Sequence, residues 1–113
     1  MDKHMHLRFR LWVFTGDTPY LGTGPIELLE KINKHGSIAK AAADMKMSYR
    51  KAWQLVQNMN TIADAPLVTT QLGGNKGGGA EVTEKGRQVI RQYHQLAQEM
   101  ETFLQEKMKT LNW

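Results

Sequence analysis

Residues 37–62, SIAKAAADMKMSYRKAWQLVQNMNTI, constrain the fold of this chain more than any other stretch. Two helical patterns sit here with almost nothing between them. In the first, Ser37 is a good N-cap, and Ile38, Ala41, Ala42 and Met45 recur at the i, i+3, i+4, i+7 spacing of one helix face. In the second, Ser48 is the N-cap and Ala52, Leu55, Val56, Met59 and Ile62 form the inner stripe. A connection of about three residues is too short for antiparallel packing, so the two helices must cross steeply, as in a helix-turn-helix. Ala41, Ala42 and Ala43 shorten the side chains of the first helix and let its neighbour come close.

The flanking segments read as follows. Residues 6–13, HLRFRLWV, alternate strictly: Leu7, Phe9, Leu11 and Val13 face a core and His6, Arg8, Arg10 and Trp12 face outward, which predicts a half-buried strand. TGDTPYLGTG reads as a loop. A helix begins at Pro25, with Glu27 near its positive end, turns Ile26, Leu29 and Ile32 inward, and stops at Gly36. After Pro66, the β-branched PLVTTQL and the short AEVT predict two strands of a hairpin. Thr83 caps a last helix, with Glu84 in its first turn, that runs to about Leu111. On that helix Val89, Tyr93, Leu96, Met100 and Phe103 form one apolar row, and Ile90, Ala97, Leu104 and Leu111 form a second. Such a stripe exceeds what one small domain covers, so Leu96, Met100, Phe103 and Leu104 are expected to pack against a second copy; the alternative is a helix folded back over its own domain. The fold class expected is mainly α with a small β component: a winged helix-turn-helix with an N-terminal strand and a long C-terminal dimerisation helix over 84–111, in one domain spanning 1–113.

Charge placement points to the partner. The net charge is +4, yet residues 1–33 and 88–113 are each balanced. Residues 34–58 hold Lys34, Lys40, Lys46, Arg50 and Lys51 against Asp44 alone. A central cationic surplus of this kind suits a polyanion. There is no cysteine, which removes disulfides and thiolate metal sites, and the longest apolar run, LWVF, is far too short for a membrane span or signal peptide. A soluble, cytoplasmic protein is expected.

An α-helix fits the major groove of B-DNA and reads base edges from its N-terminal residues. The residues left outside on the second helix of the pair are Tyr49, Arg50, Trp53, Gln54 and Gln57, with Lys51 and Asn58 on the flanks. Arg50 suits a guanine, and Gln54 or Asn58 an adenine. Trp53 has two readings, packing under the hairpin or touching DNA; Tyr49 reads bases or stacks on the sugar-phosphate edge. Between the two predicted strands, five of the chain's ten glycines crowd into residues 73–79. The cluster matches neither common nucleotide-cradle pattern. It reads as a wing tip whose backbone N–H groups and Lys76 reach phosphates, glycine allowing the main chain to come close.

From Ser37 through Gly86 the chain resembles the LysR-like winged helix pattern, in GSIAKAAADMKMS, in PLV after the second helix of the pair, and in VTEKG opening the last helix. More narrowly, SYRKAW together with GGNKGGGA resembles the DNA-binding domain of the ModE family, the molybdate-responsive bacterial transcription regulators. The resemblance implies a homodimer with Ser48, Tyr49, Arg50, Lys51 and the wing around Asn75 to Gly79 against double-stranded DNA, and with the first strand and last helix forming the dimer. The DNA-facing set is therefore Ser37, Ser48, Tyr49, Arg50, Lys51, Trp53, Gln54, Gln57, Asn58, Asn75, Lys76, Gly77 and Gly78. Members of that family usually carry molybdate-binding domains after this module, and this chain ends at Trp113, so a regulator lacking that domain is expected. His4, His6, His35 and His94 lack ligand spacing, and no nucleophile is paired with a base, so neither a metal, a cofactor nor a catalytic role is expected. The competing class is a winged helix serving as a protein–protein interaction module.

Overall fold

The computed structural model describes residues 4–71 and 79–113. The elements run β1 (Val13–Thr15), β2 (Thr18–Leu21), α1 (Thr23–His35), α2 (Ile38–Asp44), α3 (Tyr49–Ile62), β3 (Val68–Gln71), β4 (Gly79–Val82) and α4 (Glu84–Met108). The strands form two separate antiparallel pairs, so the helices carry the core and each hairpin is attached to it.

The N-terminal strand is present but lies later than its alternation predicts. Residues 4–12 form no strand, because no neighbouring backbone among the described residues completes a ladder for them. The partner of β1 comes from the segment expected to be a loop: β2 pairs with it at Val13↔Leu21, Phe14↔Pro19 and Thr15↔Thr18. Gly16, at φ 56°, reverses the chain between them. The alternation holds only in part: Leu7, Leu11 and Val13 are half-buried and Arg8 and Arg10 exposed, but Phe9, expected to face the core, is exposed because no ladder fixes the pleat there.

Helix α1 starts at Thr23, two residues before Pro25, which still falls in the first turn where no intrahelical N–H is needed. It buries Ile26, Leu29 and Ile32, and also Leu28. Gly36, at φ 69°, ends it and donates its N–H to the Ile32 carbonyl at 2.8 Å. The caps of the next two helices are as read: Ser37 Oγ accepts from Lys40 N–H at 3.2 Å, and Ser48 Oγ from Lys51 N–H at 3.1 Å. Between them α2 closes in a Schellman arrangement, with Lys46 N–H on the Ala43 carbonyl at 3.1 Å and Met47 N–H on the Ala42 carbonyl at 2.9 Å. Lys46 takes the left-handed position, at φ 55°. Ala41 and Ala52 are fully buried where these helices meet, which is why small side chains are needed there.

The core joins α1 to Val56 and Met59 of α3, Leu67 and Val82 at the hairpin base, and Val89 and Tyr93 of α4. Each fully buried large aliphatic contributes about 1.5–3 kcal/mol. The second hairpin is fastened from three sides. Asn60 of α3 accepts from Leu67 N–H (2.8 Å) and Val68 N–H (3.2 Å) and donates to the Val68 carbonyl (2.9 Å). Ala80 N–H donates to the Gly36 carbonyl at 3.0 Å. Thr83 Oγ donates to the Pro66 carbonyl at 2.7 Å while capping α4 through Gly86 N–H at 3.0 Å.

Only the first part of α4 lies on this core. At 25 residues it is about 37 Å long at the usual helical rise, and the molecule measures 60 × 34 × 24 Å. Its regular helix ends at Met108 and continues as turns to Leu111, through Thr110 N–H on Lys107 and Leu111 N–H on Met108. The N-terminal segment runs beside α4: Tyr93 Oη donates to the Leu11 carbonyl at 2.8 Å, and residues 7–10 face Glu101, Leu104 and Gln105 across a groove of about 550 Å³.

Candidate nucleic-acid interface

One face of the first two turns of α3 is left outside the core. Its buried residues, Ala52, Val56 and Met59, lie on one side. At about 100° per residue, Arg50, Gln54 and Gln57 fall opposite them. Tyr49 and Trp53 lie toward the β3–β4 hairpin and Asn58 toward the other flank. Arg50, Lys51, Gln54 and Asn58 are exposed, and Gln57 is half-buried.

A groove of about 520 Å³ ties these elements together. It is lined by Ser37, Ile38 and Ala39 at the start of α2, Tyr49 and Trp53 of α3, and Thr70, Gln71, Gly79 and Ala80 of the hairpin. The amino end of α3 and the strand ends that lead into residues 72–78 thus open onto one face. Trp53 lines the groove against the hairpin and keeps 42% of its surface exposed. Ser37 and Ser48 each use one oxygen lone pair as a helix cap and retain a hydroxyl hydrogen to donate. Asn75, Lys76, Gly77 and Gly78 lie outside the described residues. Thr70, Gln71 and Ala39 were not in the set read from sequence; the polar end of VTTQ, abutting the glycine cluster, was the signal for the first two.

Electrostatics sharpen the face. Asp44, the single acid of residues 34–58, is turned toward α1, where its carboxylate meets Lys31 Nζ at 3.2 Å and His35 Nε2 at 2.8 Å. The hydrogen bond from His35, then that from Lys31, holds its carboxyl below the ordinary aspartate range. Among the described residues, Lys34, Lys40, Lys46, Arg50 and Lys51 have no acidic partner. Unneutralised cations spaced along a helix-turn-helix suit a phosphate backbone.

A second surface lies on the far half of α4. Leu96, Met100 and Phe103 are 43%, 37% and 53% exposed, while Leu104 is partly covered by the N-terminal segment. Among the described residues no group of acidic, histidine or cysteine side chains is arranged to hold a metal ion, and no helix is long and apolar enough to cross a membrane.

Comparison with known proteins identifies the helix-turn-helix. Residues 25–87 match the bacterial regulatory helix-turn-helix proteins of the lysR family. The chain is 39% identical over 87 residues to the molybdenum transport protein ModE of Azotobacter vinelandii, covering 77% of this chain and 32% of that protein. It is 44% identical over 72 residues to the molybdenum-pterin-binding protein MopA of Rhodobacter capsulatus, covering 64% and 27%. To the DNA-binding transcriptional dual regulator ModE of Escherichia coli K12 it is 41% identical over 73 residues, covering 65% and 28%. The chain therefore spans about a third or less of the length of these curated relatives.

Proposed function

The chain belongs to the lysR family of bacterial regulatory helix-turn-helix proteins, and from that premise we propose that it is a ModE-type, cytoplasmic transcription regulator that binds double-stranded DNA sequence-specifically as a homodimer. The observation that carries the reading is the shared face: the amino-terminal half of α3 and the base of the β3–β4 hairpin line one groove, on a helix-turn-helix whose cations have no acidic partner among the described residues. In this reading α3 enters the major groove, and Arg50, Gln54 and Gln57 meet base edges. Tyr49, Lys51, Ser37 and Ser48 serve the sugar-phosphate edge. The stretch joining β3 to β4, with Asn75, Lys76, Gly77 and Gly78, contacts the neighbouring backbone. The exposed row Leu96, Met100 and Phe103, continued by Leu104, seats a second copy.

Binding of duplexes selected from a random pool, titrated at low and moderate salt, tests this. Log affinity is expected to fall linearly with log salt, because each phosphate neutralised releases counterions. Arg50→Ala is expected to relax preference at one base position, at a cost of about 1–3 kcal/mol. Lys76→Ala is expected to weaken all duplexes alike and to reduce the salt slope by about one. Equal losses on every sequence for both substitutions would refute the groove assignment, and absence of any salt-sensitive complex would refute DNA binding.

A further inference from the structure

Two amides on the outer surface of α3 are joined: Gln54 Nε2 donates to Asn58 Oδ1 at 3.0 Å, one helical turn apart. A glutamine amide offers two N–H donors and one carbonyl acceptor. The bond to Asn58 uses one N–H and leaves the second N–H and Oε1 available. That remaining pair is complementary to the major-groove edge of adenine, where N7 accepts and N6 donates. Guanine presents two acceptors there and would face the Gln54 oxygen with another oxygen. Asn58 is in the opposite position. With one lone pair of its carbonyl oxygen taken by Gln54, it is less free to turn its amide toward a base and pair bidentately with adenine. Gln54 also lies nearer the centre of the outward face, whereas Asn58 stands on the flank.

We propose that Gln54 reads an adenine in the bound duplex and that Asn58 is its positioning residue, holding the amide in the orientation that presents one donor and one acceptor. This rests on the DNA-binding reading above and deepens it from a candidate set to an assignment. A side chain already held by a neighbour loses less rotamer freedom on binding.

The test uses the full chain and its preferred duplex, with each adenine replaced singly by 7-deazaadenine, which lacks the N7 acceptor. For the unaltered protein, one position is expected to cost roughly five- to a hundredfold in affinity. Gln54→Ala should abolish sensitivity at that position, and Gln54→Glu should shift the preferred base there to cytosine, whose N4 donates. Asn58→Ala should keep the same preferred base but blunt the response to 7-deazaadenine, and Asn58→Asp, which retains the accepting oxygen, should restore it while weakening all duplexes alike. A protein that binds its duplex yet is indifferent to every replacement would overturn the assignment. So would sensitivity that survives Gln54→Ala and vanishes in Asn58→Ala. Failure to bind any duplex would instead bring down the reading on which the proposal stands.

Discussion

Lys46 is the residue where stability and the proposed function pull apart. It occupies the left-handed position that ends α2, at φ 55°, where a side chain costs about 1–2 kcal/mol and glycine almost nothing. Lys46→Gly should therefore raise unfolding stability by about 1 kcal/mol in urea titration. If Lys46 touches phosphate, the same change should reduce the salt slope of DNA binding by about one. Asp44 gives a second prediction at this scale. Its carboxyl is held low by His35 and then Lys31, so ionised Asp44 favours the folded state. That contribution is complete above the ordinary aspartate range and is lost as the pH falls through the depressed value. The advantage of the unaltered protein over Asp44→Asn should accordingly be present at neutral pH and vanish in acid, as followed by thermal unfolding across the pH range; a constant difference would contradict the pairing.

At the scale of elements, the hairpin's orientation depends on residues that touch no DNA in the proposed pose. Asn60 makes three hydrogen bonds to the chain entering β3, and Asn60→Leu should strand those backbone groups at a cost of about 1–3 kcal/mol. Gly86 matters through space alone. A Cβ there would strike the Leu67 carbonyl oxygen and lie 2.6 Å from Val82 Cγ1, so Gly86→Ala should force α4 away from the hairpin, costing about 1–3 kcal/mol. Both changes are expected to lower the denaturation midpoint. Four helix ends were legible because their caps are local: Ser37, Ser48, Thr83 and Gly36 act through backbone groups within a few residues, whereas the start of α1, which has no side-chain cap, and the end of α4 were read two to three residues off. The first strand was misplaced for the converse reason. A strand needs a partner, and the alternation of HLRFRLWV says which face is apolar without saying where a neighbouring backbone lies.

For the whole molecule, the exposed row on α4 is the feature that asks for a partner. Leu96, Met100 and Phe103 lie on the part of α4 beyond the core, and a helix seam of this kind is covered by another helix at little conformational cost. Sedimentation at micromolar concentration should give a dimer, and Met100→Glu with Phe103→Glu should shift it toward monomer while leaving the helical signal near that of the unaltered chain. A dimer unaffected by both changes would place the interface elsewhere. If the seam holds two copies together, operator half-sites should be arranged as an inverted repeat, because a two-fold protein meets DNA most favourably through a two-fold site.

By itself, the order of residues determined the short turn between α2 and α3, the caps, the buried stripes and the central cationic surplus. All of these follow from spacing along one helix or from interactions within a few positions. Tertiary structure decided that β2 rather than a longer N-terminal strand completes the first hairpin, that Asp44 faces Lys31 and His35 instead of the cationic face, and that Tyr49 and Trp53 share a groove with Gln71 and Gly79. Those outcomes depend on distances between segments far apart in the chain. Such distances are set only when Asn60, Thr83 and the Gly36–Ala80 bond lock the hairpin against the helices.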